Sequence, residues 1–229
     1  MRYHRFYLPP PVELKHDFWL HDARLVHQWF RVLRFRPGQE VLLFDGIRTE
    51  RLYQITDLNE REAHLLLRTD YVRKLPQKEI YLLWSLLKKD KNDWVLQKAT
   101  EIGVSHFWPI LADRSEKTGF DTERAKKILI EAAEQCGRSD IPFIREPLHC
   151  QNALMELHDV QIFLCEQGGR QPDNNGQGSV ALLVGPEGGW SEQERALFAE
   201  KHIVQIGLGD FTLRAETASI VAAAKIIGG

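Results

Sequence analysis

The spacing of apolar residues divides this chain into two textures. Up to about Val72, short apolar runs separated by turn residues predict strands over His4 to Leu8, Val41 to Phe44, Arg51 to Thr56 and Ala63 to Leu67. Asp45-Gly46 lies between two of them and signals a hairpin, because both residue types tolerate positive φ. One helix, Asp22 to Leu33, interrupts the strands, with Leu25, Trp29, Val32 and Leu33 as its apolar stripe. The segment 1–72 therefore reads as a small β-barrel. From Arg73-Lys74-Leu75-Pro76 onward strands and helices alternate, so 73–229 reads as a separate α/β domain.

In that second segment Ile80 to Leu87 is a nearly continuous apolar run, as expected of a strand buried on both faces of a parallel sheet. Helix and strand then follow in turn: Asp93 to Ile102, His106 to Leu111, Thr122 to Cys136, Ala153 to His158 and Val160 to Leu164. The stretch Gly168 to Gly178, rich in Gly, Asn and Gln, reads as mobile. Two compact strand-loop-helix units close the chain. The first is Val180 to Val184, then Gly185-Pro186-Glu187-Gly188-Gly189, then a helix whose start is marked by the capping box of Ser191 and Glu194. The second is His202 to Ile206, a loop to Ala215, and a helix from Glu216 or Thr217 to Ile227.

Composition narrows the function classes. With 229 residues, 43% of them hydrophobic and 27% charged, there is material for two folded cores and too little charge imbalance for a disordered chain. A formal net charge of -2 excludes a histone-like electrostatic binder, though not local basic patches. Three cysteines, Cys136, Cys150 and Cys165, contain no CxxC pair, which fits neither a disulfide framework nor a zinc ribbon and points to a reducing cytoplasm. Cys136 reads as a buried small hydrophobe. His149-Cys150 lacks metal-ligand spacing around it, so no metal is expected. MRYHRFYLPPP has no apolar core of a signal peptide, and the last apolar stretch is broken by Lys225, so no export or membrane route is expected.

Ligands of open α/β sheets bind beyond the carboxyl ends of strands, which directs attention to the loops after Val184 and Ile206. In GPEGG the glycines admit a ligand close to the backbone and Pro186 stiffens the loop. It lacks the Lys-Ser/Thr of a phosphate loop and carries a carboxylate where phosphate would sit, so a neutral or cationic ligand fits better. A tight turn using glycine for geometry alone is the competing reading. Gly207-Leu208-Gly209 resembles a fragment of a dinucleotide fingerprint, but too few residues follow for a Rossmann unit. Leu213-Arg214-Ala215-Glu216-Thr217-Ala218 opens a small-residue helix. Glu216 and Thr217 suit a helix start electrostatically, whereas Arg214 does not, so Arg214 calls for a partner, either Glu216 or a bound anion.

Several segments in order resemble the SPOUT superfamily, and within it the small-subunit 16S rRNA (uridine-N3) methyltransferase family, RsmE. They are Arg31-Val32-Leu33-Arg34 with Pro37-Gly38-Gln39 and Phe44-Asp45-Gly46; Gln97 to Val104; Glu134-Gln135-Cys136-Gly137-Arg138; Gly185 to Gly189; and Leu208-Gly209 through Leu213 to Ala218. One departure is an extra residue between His27 and Arg31, which rotates His27 by about 100° on a helix and removes it from the expected RNA face. Another is Asp93, where the family usually has Glu; it still suits a helix start.

The resemblance implies an N-terminal PUA-like barrel for RNA, a C-terminal trefoil-knotted parallel α/β domain, a homodimer, S-adenosylmethionine as cofactor, and 16S rRNA, within the small ribosomal subunit, as partner. It places the cofactor against Val184, Gly185, Pro186, Glu187, Gly188, Gly189, Ile206, Leu208, Gly209, Leu213 and Thr217. Methylating N3 of uridine removes the imide proton and spreads negative charge to O2 and O4, which an arginine fork stabilises. Arg214 is the first candidate and Arg138 the second, with Glu216 as proton acceptor or as the group orienting Arg214. Arg31 and Arg34, with Arg36, and Lys88, Lys91 and Lys98, with Lys89, are basic clusters that could flank an RNA groove or simply be solvated faces. Thr100 and Glu101 are expected to serve structure or RNA rather than catalysis. The competing functions are ribose 2'-O methylation on the same fold and a noncatalytic RNA-binding assembly factor.

Overall fold

A computed structural model describes residues 3–115, 119–170 and 178–228. Contacts divide the chain into two compact units, one of Met1–Leu75 with Ala133–Asp140, the other of Pro76–Ala132 with Ile141–Gly229.

The first unit holds β1 (His4–Tyr7), β2 (Asp17–Leu20), α1 (Ala23–His27), β3 (Glu40–Phe44), β4 (Glu50–Leu58) and β5 (Ala63–Asp70). They form one sheet in the order β1-β3-β4-β5-β2, parallel between β1 and β3 and antiparallel elsewhere. Alternation along β3 and β4 places Val41, Leu43, Tyr53 and Ile55 in a core with Phe6, Leu25, Val26, Trp29 and Phe35. The β3–β4 hairpin turns through five residues rather than two, since the Asp45 carboxylate accepts from the amides of Ile47, Arg48 and Thr49 at 2.8–2.9 Å. β2 was not predicted, because Asp17–Leu20 is too short for a visible alternation.

The predicted helix from Asp22 to Leu33 begins as expected, with Asp22 capping the amide of Leu25 at 2.9 Å. It then widens into a π-helical turn over Gln28–Val32, where the amide of Leu33 donates to the carbonyl of Gln28, five residues back, at 2.8 Å. The wider turn breaks the predicted stripe. Trp29 is fully buried, Val26 joins it, and Val32 is 64% exposed.

In the second unit β6 (Ile80–Ser85), β7 (His106–Leu111), β8 (Phe143–Ile144), β10 (Gln161–Arg170), β11 (Val180–Val184) and β12 (Val204–Ile206) form a parallel sheet in the order β12-β10-β11-β6-β7-β8; β9 (Leu148–His149) also pairs with β7. Helices α2 (Lys89–Ile102), α3 (Thr122–Cys136), α4 (Cys150–Glu156), α5 (Glu192–Glu200) and α6 (Ala215–Ile227) connect them. Strand residues alternate between two cores. Leu82, Trp84, Leu182 and Val184 pack with Val95, Ala99, Leu129, Ala222 and Ile226 on one side, and Leu83, Ala181, Leu183 and Leu164 with Trp190, Phe198 and Leu154 on the other.

Several boundaries differ from expectation. α2 starts four residues before Asp93, because buried Asn92 accepts from the Trp84 indole at 3.0 Å and from the Leu87 amide at 3.1 Å, tying the first turn to the end of β6. Asp93 instead pairs with Arg124 at 2.6 Å. β10 runs six residues past Leu164, so Gly168 to Arg170 of the predicted mobile stretch are strand, while 171–177 lie outside the described residues. Cys136 is exposed, since it falls on the outer face of the last turn of α3. No helix among the described residues is long and apolar enough to cross a membrane.

Candidate functional site

The carboxyl ends of β10 and β11 and the start of α6 enclose a cleft of about 790 Å³ in the second unit. Its walls are Cys165, Glu166 and Gln167 from β10, Val184 to Glu187 with Gly189 and Trp190 after β11, Thr212 to Ala215 with Ala218, Lys91 of α2 and Arg195 of α5.

The GPEGG glycines have separate causes. Gly185 is required by packing, since a Cβ there would stand 2.7 Å from Nε1 of Trp190, whose buried indole meets Phe198 edge to face at 5.0 Å. Gly189 closes a turn onto Pro186 at 2.9 Å with φ +69°, where glycine is favoured. The capping box of Ser191 and Glu194 is present, and the Glu194 carboxylate also accepts from the amide of Asp113 at 3.1 Å, so the loop leads into a helix fixed at its first turn. Opposite, the second loop starts where two backbones nearly touch. The amide of Gly207 donates to the carbonyl of Arg170 at 2.7 Å, and a Cβ on Gly169 would lie 2.4 Å from the carbonyl carbon of Ile206. Thr212 then donates to the side chain of Gln167 at 2.9 Å, joining that loop to the end of β10.

The charged groups are ordered. Lys91 hydrogen-bonds Glu187 and stands 3.5 Å from Glu216. That hydrogen bond holds the Glu187 carboxyl below the usual carboxylate range, aided by Lys88 and Arg214 nearby, and raises the Lys91 ammonium. Oε2 of Glu216, the oxygen that faces Lys91, is buried and accepts no hydrogen bond among the described residues. Arg195 makes a two-point pair with Glu166 at 2.8 and 3.1 Å. Arg214 is the exposed N-cap of α6, extended at φ -65° and ψ 151°, and its guanidinium makes no ion pair among the described residues. Burial pushes the Cys165 thiol up to about 12, so it is a neutral wall.

Of the cofactor candidates, Val184, Gly185, Pro186, Glu187, Gly189 and Leu213 line the cleft. Gly188 turns its carbonyl to Arg114 at 3.3 Å, Ile206 is buried in the core, and Leu208 packs against that core; Gly209 and Thr217 flank the wall without lining it. Arg214 lines the cleft. Glu216 pairs with Lys91 rather than with Arg214. Arg138 lies in the first unit, buried, with its guanidinium forked onto Asp140 at 2.9 and 2.7 Å and its carbonyl accepting from Arg5 at 3.1 Å. Lys91, expected on an RNA face, points into the cleft because α2 begins earlier than predicted. Arg31 pairs with Glu60 and Lys98 with Glu101, while Arg34 takes a left-handed φ of 53° and Lys88 occupies the N-cap position of α2 without a side-chain capping bond. Sequence reasoning missed Cys165, Glu166 and Gln167. The strand-end rule that found the other two loops applies equally to β10, but the apolar run faded at Leu164.

The cleft fits S-adenosylmethionine. Its volume is in the range of small-ligand sites, it joins apolar walls at Val184, Leu213 and Ala218 to a glycine-lined turn, and it holds carboxylates suited to a cation. The class of protein is an RNA methyltransferase: the chain matches the model of the RNA methyltransferase domain over residues 73–227 and that of the RNA methyltransferase PUA domain over 30–67. It belongs to the family of ribosomal RNA small subunit methyltransferase E. The protein of that name from Aquifex aeolicus is 33% identical over 88% of this chain and 90% of its own, and that from Bacillus subtilis 31% over 88% and 86%. The crystal structure of the Neisseria gonorrhoeae protein of the same name, bound to S-adenosyl methionine, superposes with a TM-score of 0.88 at 27% identity, covering 97% of this chain and 96% of that one.

Proposed function

We propose that this chain transfers the methyl group of S-adenosylmethionine to N3 of one uridine in small-subunit 16S rRNA. The observation that carries the reading is the cleft between the ends of β10 and β11 and the start of α6, with the exposed Arg214 at its rim, in a chain of this family. When bound, the cofactor supplies an electrophilic methyl group on a sulfonium. The backbone from Val184 to Gly189, with Leu213 and the neighbouring Ile206, Leu208, Gly209 and Thr217, forms its binding region.

In the transfer the N3–H and S–CH3 bonds break and the N3–CH3 bond forms. Arg214 forks onto a carbonyl oxygen of the uracil and stabilises the charge that develops as the imide proton leaves. Glu216 accepts that proton, since its buried Oε2 retains acceptor capacity beside Lys91. Arg138, committed to Asp140, holds its own segment rather than the substrate. Arg34 and Lys88, with Arg31 and Lys98 whose surface pairs exchange readily with phosphate, contact RNA. The chain works as a homodimer in the cytoplasm on the small ribosomal subunit. Incubation with isotopically labelled cofactor and unmethylated small subunits, followed by mass spectrometry of digested RNA, tests the reading. N3-methyluridine supports it, 2'-O-methylation moves the product to the ribose, and no transfer with no cofactor binding leaves a noncatalytic RNA binder.

A further inference from the structure

Beyond the cleft, the second unit contains another cavity, of about 610 Å³, beside the edge strand β12. The two share one side chain: Arg195 lines both. Its guanidinium is fixed there by the two-point pair with Glu166, so it stands as a partition. On the far side the cavity is floored by Leu164, Phe198 and Ile203, and its polar side chains are Arg170, Arg195, His202 and Gln205. Among the described residues no carboxylate lines it, although acidic residues outnumber basic ones in the chain, 32 to 30.

Resting on the methyltransferase reading, we propose that this cavity binds a nucleotide of the rRNA strand next to the target uridine. The composition is that of a nucleotide site. The apolar floor accepts a base or ribose face, the Arg170 guanidinium matches a phosphate, and the Gln205 amide offers both a donor and an acceptor to a base edge. Its position also fits. A uridine presenting N3 to the cleft must leave its stack, and its neighbour needs a seat within one nucleotide of it. The ridge at Arg195, its charge already paired with Glu166, is the boundary between the two seats.

The test is binding of small ribosomal subunits across a salt series by the parent chain and by an Arg170→Glu, His202→Glu double variant, with calorimetry of S-adenosylmethionine on both. The expected result is at least a tenfold loss of subunit affinity, a shallower salt dependence by about one phosphate contact, and cofactor affinity within twofold of the parent. Gln205→Ala should weaken binding without altering the salt slope. Parent-like affinity and slope in the double variant overturn the inference, as does a change in oligomeric mass, which would assign the face to a second copy of the chain. Failure of the parent to bind subunits would instead count against the methyltransferase reading itself.

Discussion

Gly169 offers the sharpest test of how the cleft is built. A Cβ there would stand 2.4 Å from the carbonyl carbon of Ile206 and 2.6 Å from the amide nitrogen of Gly207, whereas ordinary contact starts at 3.4 Å. Gly169→Ala must therefore part the two backbones by about 1 Å, and backbone atoms cannot rotate aside as a side chain could. The separation strains the packing by roughly 1–3 kcal/mol. It also stretches the 2.7 Å hydrogen bond from Gly207 to Arg170, at about 1 kcal/mol. A total of roughly 2–4 kcal/mol lowers the melting temperature by about 10 °C for a chain of this size. Gly168 is the internal control. It has φ +79° with open space around it, so alanine there carries only the conformational cost, ~1 kcal/mol or slightly more. Scanning calorimetry of both variants should show the larger drop for Gly169→Ala, with cofactor affinity reduced at least tenfold because the crossing aligns Gln167 with Thr212. A Gly169→Ala melting temperature within about 2 °C of the parent, or a greater loss for Gly168→Ala, would refute the close crossing.

Other expectations follow from the same geometry. Arg214→Ala should abolish methyl transfer, a loss of at least about 10²-fold in kcat, while calorimetry finds cofactor affinity within a few fold; retained turnover would remove Arg214 from the chemistry. Glu194→Ala strips the cap of α5 and the bond to Asp113 and should lower stability by about 1–2 kcal/mol in denaturant melts. Near neutral pH a thiol reagent should modify Cys136 quickly and leave Cys150 and Cys165 until unfolding, because both are buried and raised to about 12. Intact-mass analysis checks it, and two fast adducts would contradict it. Their linkage to stability runs against alkali. The unfolded thiols ionise near 9.0 and the folded ones do not, so the unfolded state binds fewer protons above that pH and stability falls as pH rises from 9 toward 12. A pH series of melts in which the Cys165→Ala variant loses as much as the parent would deny Cys165 its share.

The α/β order and two of the three cleft walls were legible because each rests on local chemistry. Val180–Val184 is a continuous apolar run, Ser191 and Glu194 spell a capping box, and GPEGG follows a strand end. What stayed hidden depends on partners remote in sequence. Nothing near Lys89 marks a helix start; the hydrogen bonds of Asn92 to Trp84 and Leu87 do. Lys91 consequently reads as surface charge until Glu187, 96 residues away, is seen beside it. Gly168-Gly169 reads as looseness, yet the second glycine sits where two backbones cross too closely for a Cβ. The segment Glu134 to Arg138 says nothing of Asp140 taking the Arg138 guanidinium.

The widened turn of the first helix bears on chain length rather than on packing. An added residue would, in a regular helix, swing everything on one side of it by a quarter of a circumference or more. A π-helical turn spanning Gln28–Val32 takes up such a surplus on the spot, as a pleat takes up cloth. Trp29 stays in the core and the chain beyond keeps its course into Phe35. A deletion of Gln28 should thus be milder than most single deletions within helices, returning the turn to its ordinary pitch instead of dragging the neighbouring sheet out of register.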